Sequence, residues 1–282
     1  MTRCHFVTDL HGRRDRYEKL FRIILTEKPN AVFFGGDLLP HMHDDDGGGS
    51  FMTSYLTREL SGLRDSMRGA FPAIFAILGN DDGRLEEKEM ENISAAGIWN
   101  YAHNRKFAFD RWSIYGYSFV PPTPFRLKDW ERYDVSRFVD PGCISPEEGM
   151  RSVPITPDEA RYSTIQHDLE MLAGDDDLQN AVFIFHAPPY KTNLDRADIE
   201  GRMIDHAPVD PHVGSIAIRR FIEERQPLLT LHGHVHESLR LTGFWKDRIG
   251  RTVMLSAAHE GPELALVRID LDDPGSAERE LL

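Results

Sequence analysis

Residues Leu231-His232-Gly233-His234-Val235-His236 place three imidazoles in five positions, with a glycine between the first two. Imidazole is the commonest metal-binding side chain, and a glycine lets backbone and ligand approach closely. His234 and His236 therefore read as metal ligands, carried by the apolar run Pro227–Leu231 as a buried strand, while His232 reads as a core histidine. Four clusters upstream offer similar atoms: Thr8-Asp9-Leu10-His11-Gly12, Gly35-Gly36-Asp37, Gly79-Asn80-Asp81-Asp82 and Phe185-His186-Ala187-Pro188-Pro189. Each follows a short apolar run. If those runs are strands of an α/β sheet, their clusters meet on one rim, because such sheets gather ligands beyond the carboxyl ends of their strands. Carboxylates mixed with imidazoles suit Mn, Fe, Zn or Ni better than calcium. Two such ions about 3.5–4 Å apart, bridged by a carboxylate, acidify a bound water and clamp an in-line phosphoryl displacement.

The elements needed to position these residues are legible. Cys4–Thr8, Ala31–Phe34 and Ala73–Leu78 read as buried strands. Between them, Asp15–Glu27 has Tyr17, Leu20, Phe21 and Ile24 on one helical face, and a second helix carries Leu56, Leu60, Leu63 and Met67. Leu85–Ala96 is a weaker helix. Strands alternating with helices predict an α/β architecture. Lys106–Phe109 and Ser113–Tyr117 read as a strand pair turning at Asp110-Arg111. A proline-punctuated segment then runs from Val120 to Pro157, a length that marks a functional rim or lid. A helix through Tyr162, Ile165, Leu169 and Leu172 is expected to stop near Gly174. The strand Ala181–Phe185, an amphipathic stretch Val213–Glu224 and strands at Thr252–Leu255 and Leu264–Ile269 complete the pattern. The expected organisation is one domain over residues 1–271, with 118–160 inserted as the rim, and a charged tail over 272–282 that frays.

Composition narrows the function classes. A chain of 282 residues, 40% of them hydrophobic, can bury a full core. Its net charge of -13 argues against nucleic acid, whose backbone demands clustered Lys and Arg. A local patch of Arg126, Lys128, Arg132 and Arg137 is the one exception to weigh. Two cysteines, Cys4 and Cys143, are too few for a disulfide framework or a four-cysteine zinc site. No apolar run approaches the roughly 20 residues that span a bilayer, and the N-terminus enters a strand at once, so the expectation is a cytoplasmic protein without membrane contact.

The five blocks, in this order, resemble the calcineurin-like metallophosphoesterase superfamily, whose pattern is D-x-H, GD, GN-[HD]-[DE], H and G-H-x-H. The resemblance spans Asp9 to His236. It implies a sandwich of two mixed β-sheets flanked by helices, with a dinuclear site on one edge. It also implies that Asp9, His11 and His236 hold one divalent ion, that Asn80, His186 and His234 hold the other, and that Asp37 bridges them. The activity implied is hydrolysis of a small phosphate ester by a metal-bridging hydroxide, with Asp37, Asn80, Asp81 and His186 as the catalytic residues.

One position departs. Most members have histidine after the Gly-Asn pair, where it contacts phosphate and protonates the leaving group; this chain has Asp81. An aspartate there repels an anionic phosphate and donates poorly, which favours a phosphodiester over a monoester. A monoesterase would need a substitute acid, for which His41, His43 and His259 are candidates. Asp82 reads as a residue that orients a ligand. Arg84 suits either a phosphate or a surface ion pair, and Phe125, Trp130 and Tyr190 suit either a pocket wall or packing of the insertion. The rival from a different class is a non-catalytic scaffold of the same fold that docks a protein through the aromatic insertion.

Overall fold

The computed structural model describes residues 1–41 and 50–282. The chain opens with an alternation of strand and helix: β1 (Arg3–Val7), α1 (Arg14–Glu27), β2 (Ala31–Gly35), α2 (Thr57–Met67), β3 (Ala73–Ile77), α3 (Glu87–Ala95) and β4 (Asn100–Tyr101). Each of these strands pairs with the next in parallel register. Helical crossovers are what permit parallel neighbours, and they cover the sheet's outer face. α1 buries Tyr17, Leu20, Phe21 and Ile24, the face its spacing predicts, and adds Arg16 to it.

The second half builds a matching sheet. A hairpin of β5 (Arg105–Phe109) and β6 (Trp112–Tyr117) leads through the long insertion to α4 (Pro157–Tyr162), α5 (Ile165–Ala173) and β7 (Ala181–Phe185). A small hairpin, β8 (Met203–Ile204) and β9 (Ala207–Pro208), precedes α6 (Ile216–Arg225), β10 (Leu229–His232) and α7 (Ser238–Thr242). The chain closes with β11 (Lys246–Ile249), β12 (Thr252–Ser256), β13 (Ala265–Asp270) and β14 (Glu278–Leu281). One six-stranded sheet has the order β14-β13-β1-β2-β3-β4, the other β11-β12-β10-β7-β6-β5. Both are mixed: β13 and β14 run antiparallel at one edge of the first, while β11 and β5 do so at the two edges of the second.

The period-2 alternation of strands divides the core. Phe6, Phe33, Phe75 and Ile77 from one sheet meet Val182, Ile184, Leu231 and Leu255 from the other. The intervening residues, such as Val32, Phe34 and Ile74 in one sheet and Phe183 and Phe185 in the other, face the helices. The fold is therefore two mixed sheets packed face to face between helical layers.

Two expectations need correction. The tail from 272, expected to fray, forms β14, which pairs with β13 from Ala265↔Leu281 to Arg268↔Glu278. Charge masked the strand there, since Glu278 and Glu280 are exposed on this edge while Arg279 between them is half-buried. The helix drawn continuously through Tyr162 is two helices. Ser163 is extended, and the Thr164 side chain accepts a hydrogen bond from His167 N to start α5. Tyr162 is consequently exposed at the end of α4 rather than part of the apolar face.

Candidate metal centre

Parallel strands place the five clusters on one edge. β1, β2 and β3 end two or three residues before Asp9, Asp37 and Asn80, while β7 and β10 end one and two residues before His186 and His234. Backbone hydrogen bonds lace the loops together: Asp9 N to Gly36 O at 3.0 Å, His11 N to Asp37 O at 2.8 Å and Gly233 N to His186 O at 2.9 Å. The turns are sharp enough to force left-handed backbone on side-chain-bearing residues. Asp9 (φ 55°), His11 (φ 46°), Asp37 (φ 50°) and His234 (φ 73°) all lie there. Such conformations cost on the order of 1–3 kcal/mol each and persist only where the surroundings dictate them. Gly36 (φ 98°) goes further, because a Cβ there would lie 2.6 Å from His186 Nδ1.

Two groups of side chains result, with Asp37 in both. One ligand atom from each of Asp9, His11, Asp37 and His236 falls within 4.8 Å of the others. On the other side, His186 Nε2 lies 3.0 Å from Asn80 Oδ1 and 3.3 Å from Asp37 Oδ2. His234 stands beside it, its ring centroid 5.3 Å from that of His186, and lines the same cleft as Asp37, Asn80 and His236. All seven residues predicted as ligands are thus brought together. Asp81 joins them on the cleft wall, donating its N–H to Asp37 Oδ1 at 2.8 Å.

The electrostatics suit cations. Asp9 and Asp37 are 1% and 2% exposed, and among the described residues both form ion pairs only with histidines. Burial alone would raise their carboxyls; His236 beside Asp9 and His186 beside Asp37 hold them below the ordinary carboxylate range instead. The reciprocal effect overcomes burial to lift His186 to about 10 and His236 to about 9. Burial lowers His11, and it takes His234 to about 3 with help from His186. Burial and the Asp37 charge raise Asp81. Several atoms make no sense without a further partner. Among the described residues, Asp9 Oδ2 and His11 Nδ1 are buried with no hydrogen bond, and His11 Nε2 faces His236 Nε2 at 3.4 Å. Lone pairs converging in this way fit divalent cations, whose charge would also offset the buried carboxylates.

The surrounding residues sort out plainly. Asp82, fully buried, accepts from Gly79 N (2.9 Å), Leu38 N (3.1 Å) and Leu39 N (2.8 Å), so it ties the Asp37 loop to the Asn80 loop. Burial and the Asp37 charge push it up to about 7 against those donors. His41 Nδ1 lies 3.6 Å from Asp81 Oδ2, and its ring stacks on His11 at 5.1 Å. His43 lies outside the described residues. His259 pairs with Glu263 at 2.9 Å and does not line the cleft. His232 is a core residue, bonded to Ala187 O and Thr230 Oγ1. Arg84 takes the ion-pair option, with Glu87 and Glu159. Trp130 is packed inside, Phe125 lines the cleft, and Tyr190 donates to Asp210. The basic patch is largely consumed: Lys128 is buried against Glu131, Arg132 pairs with Asp168 and Glu159, and Arg137 pairs with Glu147.

Sequence reasoning missed Arg16. Its guanidinium, 5% exposed, donates to Asp9 O at 2.6 Å and to Gly261 O at 2.5 Å, pinning the first ligand loop from beneath. The available signal was a charged residue on the apolar face of α1.

Comparison with known proteins agrees with this geometry. The sequence model described as calcineurin-like phosphoesterase matches residues 2–238. The chain belongs to the calcineurin-like phosphoesterase family. An uncharacterised protein of Methanocaldococcus jannaschii, MJ1162, is 35% identical over 81 residues, covering 28% of this chain and 31% of that relative's length. Among solved structures, TT1561 of Thermus thermophilus matches with a TM-score of 0.57 at 15% identity, over 99% of this chain and 98% of its own. A dimetal phosphatase from Danio rerio matches with a TM-score of 0.53 at 12% identity, over 94% and 91%. These likenesses are of fold.

Proposed function

We propose that the protein is a metal-dependent phosphoester hydrolase with a dinuclear centre, acting on a phosphodiester in preference to a monoester. The observation that carries the reading is the convergence of Asp9, His11, Asp37, Asn80, His186, His234 and His236 on one edge, with Asp37 shared between two groups of donors. A dimetal phosphatase of similar fold supports two ions rather than one.

Two divalent ions held there would acidify an attacking water and neutralise charge on the phosphoryl oxygens. Asp9, His11 and His236 would hold one, Asn80, His186 and His234 the other, and Asp37 both. The protein's own work is to fix these donors. The His186 Nδ1–H donates to Gly35 O at 2.8 Å, which aims Nε2 at Asn80 and Asp37. Arg16 and the His234 N–H, 3.1 Å from Asp9 Oδ1, hold the Asp9 loop and its carboxylate. Asn80 Nδ2 donates to Asp81 Oδ1 at 3.3 Å and keeps that carboxylate on the cleft wall. An ionised Asp81 there repels a dianionic monoester more than a singly charged diester, because repulsion scales with the product of charges. We read residues 118–160 as a rim to the cleft, to which they contribute Pro122, Thr123, Pro124, Phe125 and Cys143. Of the aromatic residues in that insertion that the scaffold alternative would use, Trp130 and Tyr133 are buried within the protein, while Phe125 and Phe138 are exposed.

The test compares turnover of a chromogenic diester with that of its matching monoester in the Mn-reconstituted protein. A diester-to-monoester ratio well above one is expected. In Asp81→His the ratio should fall as monoester turnover rises, by up to about 10²-fold, the lower end of what a positioned acid supplies. A ratio below one in the wild type would reject the diester preference and direct attention to His41.

A further inference from the structure

The metal cleft, about 310 Å³, does not end at the ligands. A second chamber of about 460 Å³ adjoins it under the insertion, and Pro122, Pro124, Cys143, Ile199 and Val213 line both. The chamber wall is apolar for most of its extent, built from the insertion (Pro121, Phe138), the β8–β9 hairpin and its flanks (Ile204, Val209) and the start of α6 (Ile216). Two of its carboxylates are tied off: Asp134 accepts from Ser215 Oγ, Ile216 N and Ala217 N, and Asp210 from Tyr190 OH and His212 N. Asp140 and Arg202 are the charged groups left on the wall, with the Asp140 carboxyl raised by burial. Gly142 (φ 85°) fixes the join between insertion and hairpin, because Ile204 packs where its side chain would be.

A second observation points the same way. Large apolar side chains on the linings are left uncovered: Phe125 of the metal cleft is 59% exposed, Phe138 of the chamber 70% and Ile204 of the chamber 37%. Together the cavities have the size and apolar lining of a pocket that takes a drug-sized organic group, about 300–1,000 Å³. A water-filled chamber of this lining is costly, and an apolar occupant recovers that cost. The wall it shares with the metal cleft points to the kind of occupant: a group attached to the phosphorus.

We infer that the chamber is a substrate subsite for a hydrocarbon group esterified to the phosphate, so that the substrate is a phosphoester with a long alkyl arm rather than a small polar one. The inference rests on the phosphoesterase reading above and specifies its substrate. The phosphoryl group lies over Asp37, Asn80 and His234, and the arm passes Val213 and Ile199 into the chamber.

The experiment titrates the Mn-loaded protein with alkylphosphonates from methyl to octyl by calorimetry, and follows hydrolysis of methyl and octyl p-nitrophenyl phosphodiesters in parallel. The dissociation constant should fall by about threefold per added methylene, with the binding heat capacity becoming more negative along the series. Ile204→Asp, on an exposed two-residue strand, should flatten the series; if that variant does not fold, the wild-type series decides alone. A dissociation constant independent of chain length, as expected if a second copy of the chain fills the chamber, overturns the inference even when both diesters are hydrolysed. Chain-length dependence without hydrolysis of either diester upholds the subsite and rejects the phosphoesterase reading, and absence of both results rejects both.

Discussion

Asp82 contributes no ligand atom, yet three backbone N–H groups from the two loops that carry Asp37 and Asn80 end on its carboxylate. Removing it leaves those donors buried without partners, at about 1–3 kcal/mol each. Asp82→Ala should therefore lower both folding stability and Mn affinity, the latter by about 10–100-fold, as measured by urea unfolding and calorimetry. Unchanged affinity in a folded variant would mean that the loops hold themselves. The candidate ligands could be picked out in the sequence because Asp, His and Asn after apolar runs have a narrow set of uses, and because their five blocks resemble an ordered family pattern. Their left-handed backbone was not, since Asp9, His11, Asp37 and His234 reach positive φ through contacts among loops far apart in the chain. Arg16 was hidden for a similar reason, because besides the nearby Asp9 carbonyl its acceptors are the Gly261 and Pro262 carbonyls of a loop far along the chain.

Elements are held by pairings that titrate or that cannot be halved. Glu27, at the end of α1, accepts from Arg268 on β13 and from His5 on β1. Arg268 keeps its carboxyl below the ordinary range in the folded state. A depressed folded-state value means that the stabilisation is fully present above the unfolded value of about 4.3 and is lost as pH falls through the folded value. The stability gap between wild type and Glu27→Gln should accordingly shrink between pH 6 and pH 3, read from urea melts; a constant gap would show that the pairing contributes nothing. In the insertion, Lys128 and Glu131 form a fully buried ion pair. Lys128→Ala leaves a carboxylate uncompensated and should destabilise the protein by about 3–5 kcal/mol, whereas a shift below about 1 kcal/mol would place the pair in contact with water. The period-2 and helical patterns of the elements themselves were legible, because burial imposes them locally. The break at Ser163-Thr164 and the short strands β4, β8, β9 and β11 were not, since those depend on capping and on partners supplied from elsewhere.

At the scale of the whole molecule, the two sheets are closed by the end of the chain. β14 extends the first sheet past β13, and Leu282 exchanges backbone hydrogen bonds with Leu264. Deleting residues 278–282 removes that edge together with Arg279, which donates to Ala258 O from a half-buried position. Thermal unfolding of the truncated chain should begin several degrees lower, about 2–4 °C for each kcal/mol lost. Unaltered unfolding would assign the strand no structural role. The net charge is -13, Lys128, Arg132 and Arg137 are each paired with a carboxylate, and among the described residues no helix is long and apolar enough to cross a membrane. On the reading proposed above, the acidic wall of the cleft and the apolar chamber beside it both favour a singly charged ester that carries an apolar arm. The measurement that bears most directly on a metal-dependent hydrolase is turnover of bis-p-nitrophenyl phosphate by the wild type and by Asp37→Asn, each stripped of metal and then titrated with Mn. Wild-type activity should appear only as Mn is added, and Asp37→Asn should retain about a thousandth of it or less. Hydrolysis by the stripped protein, or full Mn-dependent turnover in Asp37→Asn, would contradict the assignment.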